Sequence, residues 1–327
     1  MGKGVYWIVR RIGKLLPDNL RSEIRFGLSV VDNSLYGLRL NNKIKYSKNF
    51  HILKGIVKPD IRILFYPNKP EKFYTLYKIV VLLGYRIVYG NKLNNYDVVI
   101  KWKDATYTDP LPIFLRDKPH INADCIDISK RFISKVFDEV FGYALSINPL
   151  EYKGPIVVKS NRNFAHDGQI VEGPINKNQL DDSKVYQVLI DNIDPYTGLA
   201  VDLRVPIFGK NIPIVWKKYK KIDERFGRNV IMREIAYPEE VFAEDEICKM
   251  IEVAVRMGLE YGEMDVLRDK KTKRIYIVDV NSTPALDKTI AYFLKKDSSK
   301  AYILMKSLCE GFVGLLREKG VNVLKIK

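Results

Sequence analysis

The run from Tyr261 to Asn281, YGEMDVLRDKKTKRIYIVDVN, leaves the chain few choices. Ile275, Ile277, Val278 and Val280 are apolar and β-branched and read as a strand. The preceding GEMDVLR reads as its partner, and the charged run Asp269 to Lys273 as the turn of a hairpin. Alternation sets Asp279 and Asn281 on one face. In the hairpin, Asp265 falls opposite or near Asp279. Two carboxylates this close repel unless a cation lies between them. Oxygen ligands at a strand end suit a hard cation such as Mg²⁺. A slip of one residue would turn a side chain to the other face and part the group. The stretch would then be an edge strand running into the polar turn Ser282–Thr283–Pro284.

The 327 residues are enough for two or three domains, and 46% hydrophobic content supplies a real core. The apolar runs, such as Ile79 to Leu83, are far too short to span a membrane, and the N-terminus lacks a signal-peptide pattern. Cys125, Cys248 and Cys309 are widely spaced, as are His51, His120 and His166. Neither set suggests zinc or a disulfide framework, so a cytoplasmic location is expected. The net charge of +16 favours an anionic partner. No zinc-finger spacing or RNA-binding aromatic signature accompanies it, so a specific nucleic-acid partner is not expected.

Along the chain, residues 1–58 read as a basic helical extension. Val5, Ile8, Val9, Ile12, Leu15 and Leu16 recur at helical spacing, with Arg10, Arg11 and Lys14 opposite. Such a helix docks on the domain behind it or lies on an anionic membrane surface, peripheral at the inner face. Residues 59–123 alternate strand (IRILFYP), helix (EKFYTLYKIVVLLG) and strands (YRIVYG, YDVVIKW), the pattern of a small parallel α/β unit. Residues 124–327 continue as a helix capped by Asp127 or Ser129, strands GPIVVKS and KVYQVLID, and a hairpin turning near Gly209 and Asn211. Then come a helix with Ile247, Ile251, Ala254 and Val255 on one face, the acidic hairpin, and a last helix from Ala301 to Arg317. Lys159, at a strand end, suits a phosphate as a point charge.

This order over residues 120–290 resembles the ATP-grasp superfamily: a lysine in DISK, a lysine in VVKS, the hinge YQVLID, DLRVPIFG, and an acid followed by an acid–spacer–asparagine. The resemblance implies an α/β fold in which a small N-terminal α/β domain precedes two α+β subdomains that clamp ATP. Residues 124–190 would be the lid-like subdomain and 191–327 the metal-binding one. It implies Mg²⁺ on Asp265, Asp279 and Asn281. It implies ATP on Lys130 (or Lys135) and Lys159, with Gln187 toward the adenine amino group. The backbone of Val188 and Leu189 would meet the ring edge, and Asp191 or Asp194 the ribose. Arg204 would lie near the phosphates or substrate, and Arg225, Arg228 and Asn229 would approach the reacting centre. The loop after Lys159 holds a single glycine, Gly168, where the family is glycine-rich.

The implied activity is an ATP- and Mg²⁺-dependent ligase. It would join a carboxylate to an amine or similar nucleophile through an acylphosphate, on a small-molecule or polymer-linked acidic substrate. A kinase of the same superfamily, and a non-catalytic binder of an anionic surface, are the alternatives. Product analysis separates the first and salt-sensitive binding without ATP turnover the second.

Overall fold

The computed structural model describes residues 61–89, 95–163 and 165–323. The helix expected over Val5 to Leu16, and the rest of 1–58, lie outside the described residues.

Strand β1 (Arg62–Pro67) runs parallel to β2 (Arg86–Val88) and β3 (Val98–Trp102), and β3 runs parallel to β4 (His120–Ile121). The sheet order is β2-β1-β3-β4. Helix α1 (Thr75–Leu82) crosses over it. The helix was expected from Glu71 but begins at Thr75, because Tyr74 is extended and bridges to Ala285.

Helix α2 (Lys130–Phe141) starts where Ser129 Oγ accepts from the Phe132 amide at 3.3 Å, and it stops at left-handed Gly142 (φ 74°). Asp127 accepts from the Ser129 amide at 2.7 Å, so both candidate caps contribute. A three-stranded antiparallel sheet follows, ordered β6-β5-β7, from β5 (Gly154–Ser160), β6 (Gln169–Gly173) and β7 (Lys184–Val188).

The second antiparallel sheet, β10-β9-β8-β11-β12, contains both expected hairpins. The first is β8 (Ala200–Phe208) with β9 (Val215–Lys220); the second is β11 (Tyr261–Arg268) with β12 (Ile275–Asn281). Strand β10 (Met232–Ala236) adds an unexpected edge. Helices α3 (Pro238–Val241) and α4 (Glu244–Arg256) precede β11. On α4 the buried positions are Met250, Val253 and Ala254, whereas Val255, expected on the apolar face, is 61% exposed. Helix α5 (Asp287–Lys296), which the sequence reading did not separate from the turn before it, leads into α6 (Ser298–Glu318).

One face of the five-stranded sheet packs Leu203, Val205, Ile207, Met264 and Val266 against α2 and α4. A second core joins the parallel sheet and α1 to Phe208, Trp216, Tyr261, α5 and α6. These two cores leave a polar strip of the five-stranded sheet facing the small sheet.

Candidate active site

A β-bulge decides which residues of β12 reach that strip. Asp265 is registered directly opposite Asp279, but the next pair is Val266 with Ile277, so Val278 is an extra residue. Simple alternation would put Asp279 on the same side as Ile275 and Ile277. The bulge resets the period, as bulges do. Ile275, Ile277 and Val280 all enter the core, while Asp279 and Asn281 turn to the strip. The Val278 carbonyl accepts from Lys159 Nζ at 3.1 Å.

Lys159 comes from β5 of the small sheet, so this bond closes one sheet over the other. Helix α2 delivers Lys130, whose Nζ donates to the Arg162 carbonyl at 2.7 Å and lies 3.6 Å from Asp279 Oδ2. Arg204, opposite Asp265 on β8, pairs with Asp265 and with Glu263 at 3.1 Å. Lys130, Lys159, Arg204, Asp265 and Asp279 therefore line one cleft.

Burial dominates the electrostatics. It pushes the Lys159 ammonium down to about 8 against the pull of Asp279. It pushes the Asp265 carboxyl up to about 7, with Arg204 opposing and Asp279 adding to the rise. Burial also works against the Arg204 charge, but Asp265 and Glu263 outweigh it and raise its pKa.

The remaining expected residues divide. Gln187 lines the cleft, yet its Nε2 donates to Ser134 Oγ at 2.9 Å, so its amide is committed to α2 rather than to a ring. Val188 and Leu189 line the cleft, with the Val188 amide bonded to the Leu145 carbonyl at 3.0 Å. Asp191 turns away to Lys270 at 3.0 Å. Asp194 caps its own turn, accepting from Thr197 N at 2.8 Å. Asn192 and Asp202, unremarked in the sequence, occupy the cleft wall there, Asp202 paired with Lys220 at 2.6 Å. Arg225 reaches back to the Ile190 carbonyl at 2.6 Å, at the hinge end and away from the acids. Arg228 and Asn229 are exposed and outside the cleft lining, and Asn229 donates to Glu224 at 3.2 Å. These two are not brought to the acids. Lys135, the alternative to Lys130, is also outside the cleft lining.

Gly168 stands where the small sheet meets the segment after β9. A methyl group there would come within 2.7 Å of the Phe226 ring. The single glycine of the loop thus permits its close approach to Phe226 in the cleft wall.

Asn281 is placed from outside. Its Oδ1 accepts from the Thr283 amide at 2.8 Å, and Thr283 Oγ1 donates to Asp104 at 3.1 Å. Tyr74 of the N-terminal unit donates to the other oxygen of Asp104 at 2.9 Å. Among the described residues, no three His, Cys, Asp or Glu side chains form a ready metal set. The donors on the strip are nonetheless all oxygens: Asp265, Asp279, Asn281 and the missed Glu263, which is opposite Asn281 and 4% exposed. Burial raises the Asp265 carboxyl even with Arg204 beside it. That chemistry fits a hard divalent cation.

No protein-family profile matches the sequence, and no curated protein matches it. Solved structures similar in fold include the ATP-grasp ligase PsnB complexed with precursor peptide PsnA2 and AMPPNP. Its TM-score is 0.49 at 10% identity, covering 79% of this chain and 98% of that one. D-alanine–D-alanine ligase from Bacillus anthracis complexed with ATP has a TM-score of 0.44 at 15% identity, over 80% and 100%. The macrocyclase MdnC from Microcystis aeruginosa MRC, bound with precursor peptide MdnA, has 0.44 at 14%, over 77% and 99%. Among the described residues no helix is long and apolar enough to cross a membrane. The chain is similar in fold to these ligases, with a parallel α/β unit, a small antiparallel sheet and a larger one whose acid-bearing hairpin faces the small sheet across a lysine-lined cleft.

Proposed function

We propose that the chain is an ATP- and Mg²⁺-dependent ligase that joins a carboxylate to an amine or similar nucleophile through an acylphosphate. The observation that carries the reading is the convergence of Lys130, Lys159 and Arg204 on the Asp265–Asp279 pair from separate elements. Lysines beside acids that can share a cation suit a polyphosphate carried with its metal.

Val188 and Leu189 would hold the nucleotide base at the hinge, and Lys159 and Lys130 the phosphates. Asp265, Asp279 and Asn281 would hold Mg²⁺, which when bound supplies charge neutralisation to the phosphate oxygens. Arg204 orients and balances the carboxylates of the strip before substrate arrives. Phosphoryl transfer needs positioning and electrostatics more than a protein nucleophile. Cys125 and Cys309 agree, since burial pushes both thiols up and away from the reactive thiolate.

The test is incubation with ATP, Mg²⁺ and fractionated cell metabolites, read by mass spectrometry. ADP, inorganic phosphate and a new amide are expected. A stable phosphorylated product would make the chain a kinase, and no nucleotide turnover with any fraction would overturn the proposal.

A further inference from the structure

The cleft accounts for the acids on the strip and all but one of its nearby lysines. Arg204 is committed to Glu263 and Asp265. Lys220 is committed to Asp202 and to the Arg225 carbonyl at 3.0 Å. Lys130 faces Asp279. Lys218 is different. It lies on β9 directly across from Asp202 on one side and Arg233 on the other. It shares the polar face with Arg204, whose ladder partner on β9 is Trp216, two residues away. Yet among the described residues Lys218 makes no hydrogen bond or ion pair, and it lies outside the lining of the nucleotide cleft.

Lys218 is half-buried, and its ammonium has no partner of its own among the described residues. Burial works against its charge, Arg204 adds repulsion, and Glu263, Asp265 and Asp202 only partly offset this, leaving it near 8. Each of those acids already has a closer cation. Diagonal neighbours on adjacent strands are roughly 7–8 Å apart, so a ligand that meets Arg204 can also meet Lys218. Arg233 follows as the next cation outward, its guanidinium 5.4 Å from the Tyr292 ring.

We propose that Lys218, flanked by Arg233, is the binding site for a second carboxylate of the substrate, on the strand next to the one that carries Arg204. The inference rests on the ligase reading and deepens it: the substrate carries at least two carboxylates a few bonds apart, as in an acidic amino-acid unit.

Calorimetry on the full chain with Mg²⁺ and a non-hydrolysable ATP analogue tests it, with N-acetyl-L-glutamate and N-acetyl-L-glutamine as probes. The wild-type protein should prefer the two-carboxylate probe by about tenfold or more, the scale of one charged hydrogen-bond partner. Lys218→Gln and Lys218→Met should erase the preference, Lys218→Arg should keep it, and all should bind the nucleotide analogue as wild type does. A preference that survives both neutral substitutions overturns the assignment, as does its absence in the wild type. A loss confined to nucleotide affinity would assign Lys218 to the phosphates. A wild-type chain that binds no nucleotide would overturn the ligase reading itself.

Discussion

Asp279 serves two partners at once, Lys130 at 3.6 Å and, across the ladder, Asp265. Its charge therefore matters most when phosphate charge is moving. Asp279→Asn keeps the shape and removes the charge, and turnover should fall at least about a hundredfold, the scale of one lost transition-state stabiliser. The Mg²⁺ requirement should rise, while the melting temperature without metal holds or increases, since the Asp265–Asp279 repulsion is relieved. Steady-state kinetics against Mg²⁺ and a thermal melt read both. Lys159 is a ground-state contact as well, so Lys159→Ala should weaken ATP binding by about 1–3 kcal/mol in calorimetry. At this scale the sequence exposes charges but not their commitments. Lys159, Asp265 and Asp279 were legible because strand ends and hairpin pairing locate them, whereas Lys130, at the start of α2, came only with the family resemblance. Asp194 and Asn229 were not, because each is consumed by a neighbour in its own turn or loop. Asp202 was missed because one aspartate in a strand looks ordinary until Lys220 and the hinge are beside it.

The elements that place the site depend on two small irregularities. The extra Val278 turns a hairpin that alternation alone would mis-aim, and it presents a carbonyl to Lys159. The sequence reading reached the correct face for Asp279 and Asn281 relative to each other, but not the reason Ile277 faces the opposite way. Gly168 is the second irregularity. Gly168→Ala would force a methyl against the Phe226 ring, and overpacking of this kind costs about 1–3 kcal/mol. Here it would push the small sheet off the cleft, so KM for ATP should rise and the melting temperature should fall by a few degrees. Gly168→Ala combined with Phe226→Leu should recover much of the loss. An unchanged KM in the single variant would show that the cleft closes by another contact. The hairpins, α2 and α4 were readable from periodicity. Strand β10 and strand β6 were not, because both are edge strands whose residues are mostly half-exposed, with no strong alternation to read.

Across the described residues, the N-terminal unit and the rest of the chain are held together by more than apolar contact. Lys78 on α1 and Asp287 at the start of α5 form an ion pair in the shared core, 2% and 5% exposed. Lys78 also donates to the Lys72 carbonyl at 2.7 Å. Burial lowers the Lys78 ammonium and pushes the Asp287 carboxyl up to about 6, so the pair costs desolvation on both sides. Lys78→Met alone should destabilise by about 3–5 kcal/mol, because it leaves a buried carboxylate unpaired. Lys78→Met with Asp287→Leu should recover most of that in denaturant unfolding. The sequence reading separated residues 59–123 from the rest by pattern, and pattern is silent about a core that residues from both ends of the chain build together. The strap from Asn281 to Asp287 gives that union a consequence for descent. Tyr74, Lys78 and Asp104 on one side answer Thr283 and Asp287 on the other. The two parts therefore cannot be traded as independent modules. A hybrid that took its first unit from another protein would inherit a misdirected Asn281 unless those positions travelled with it, so drift at either side of the seam has to be matched by drift at the other.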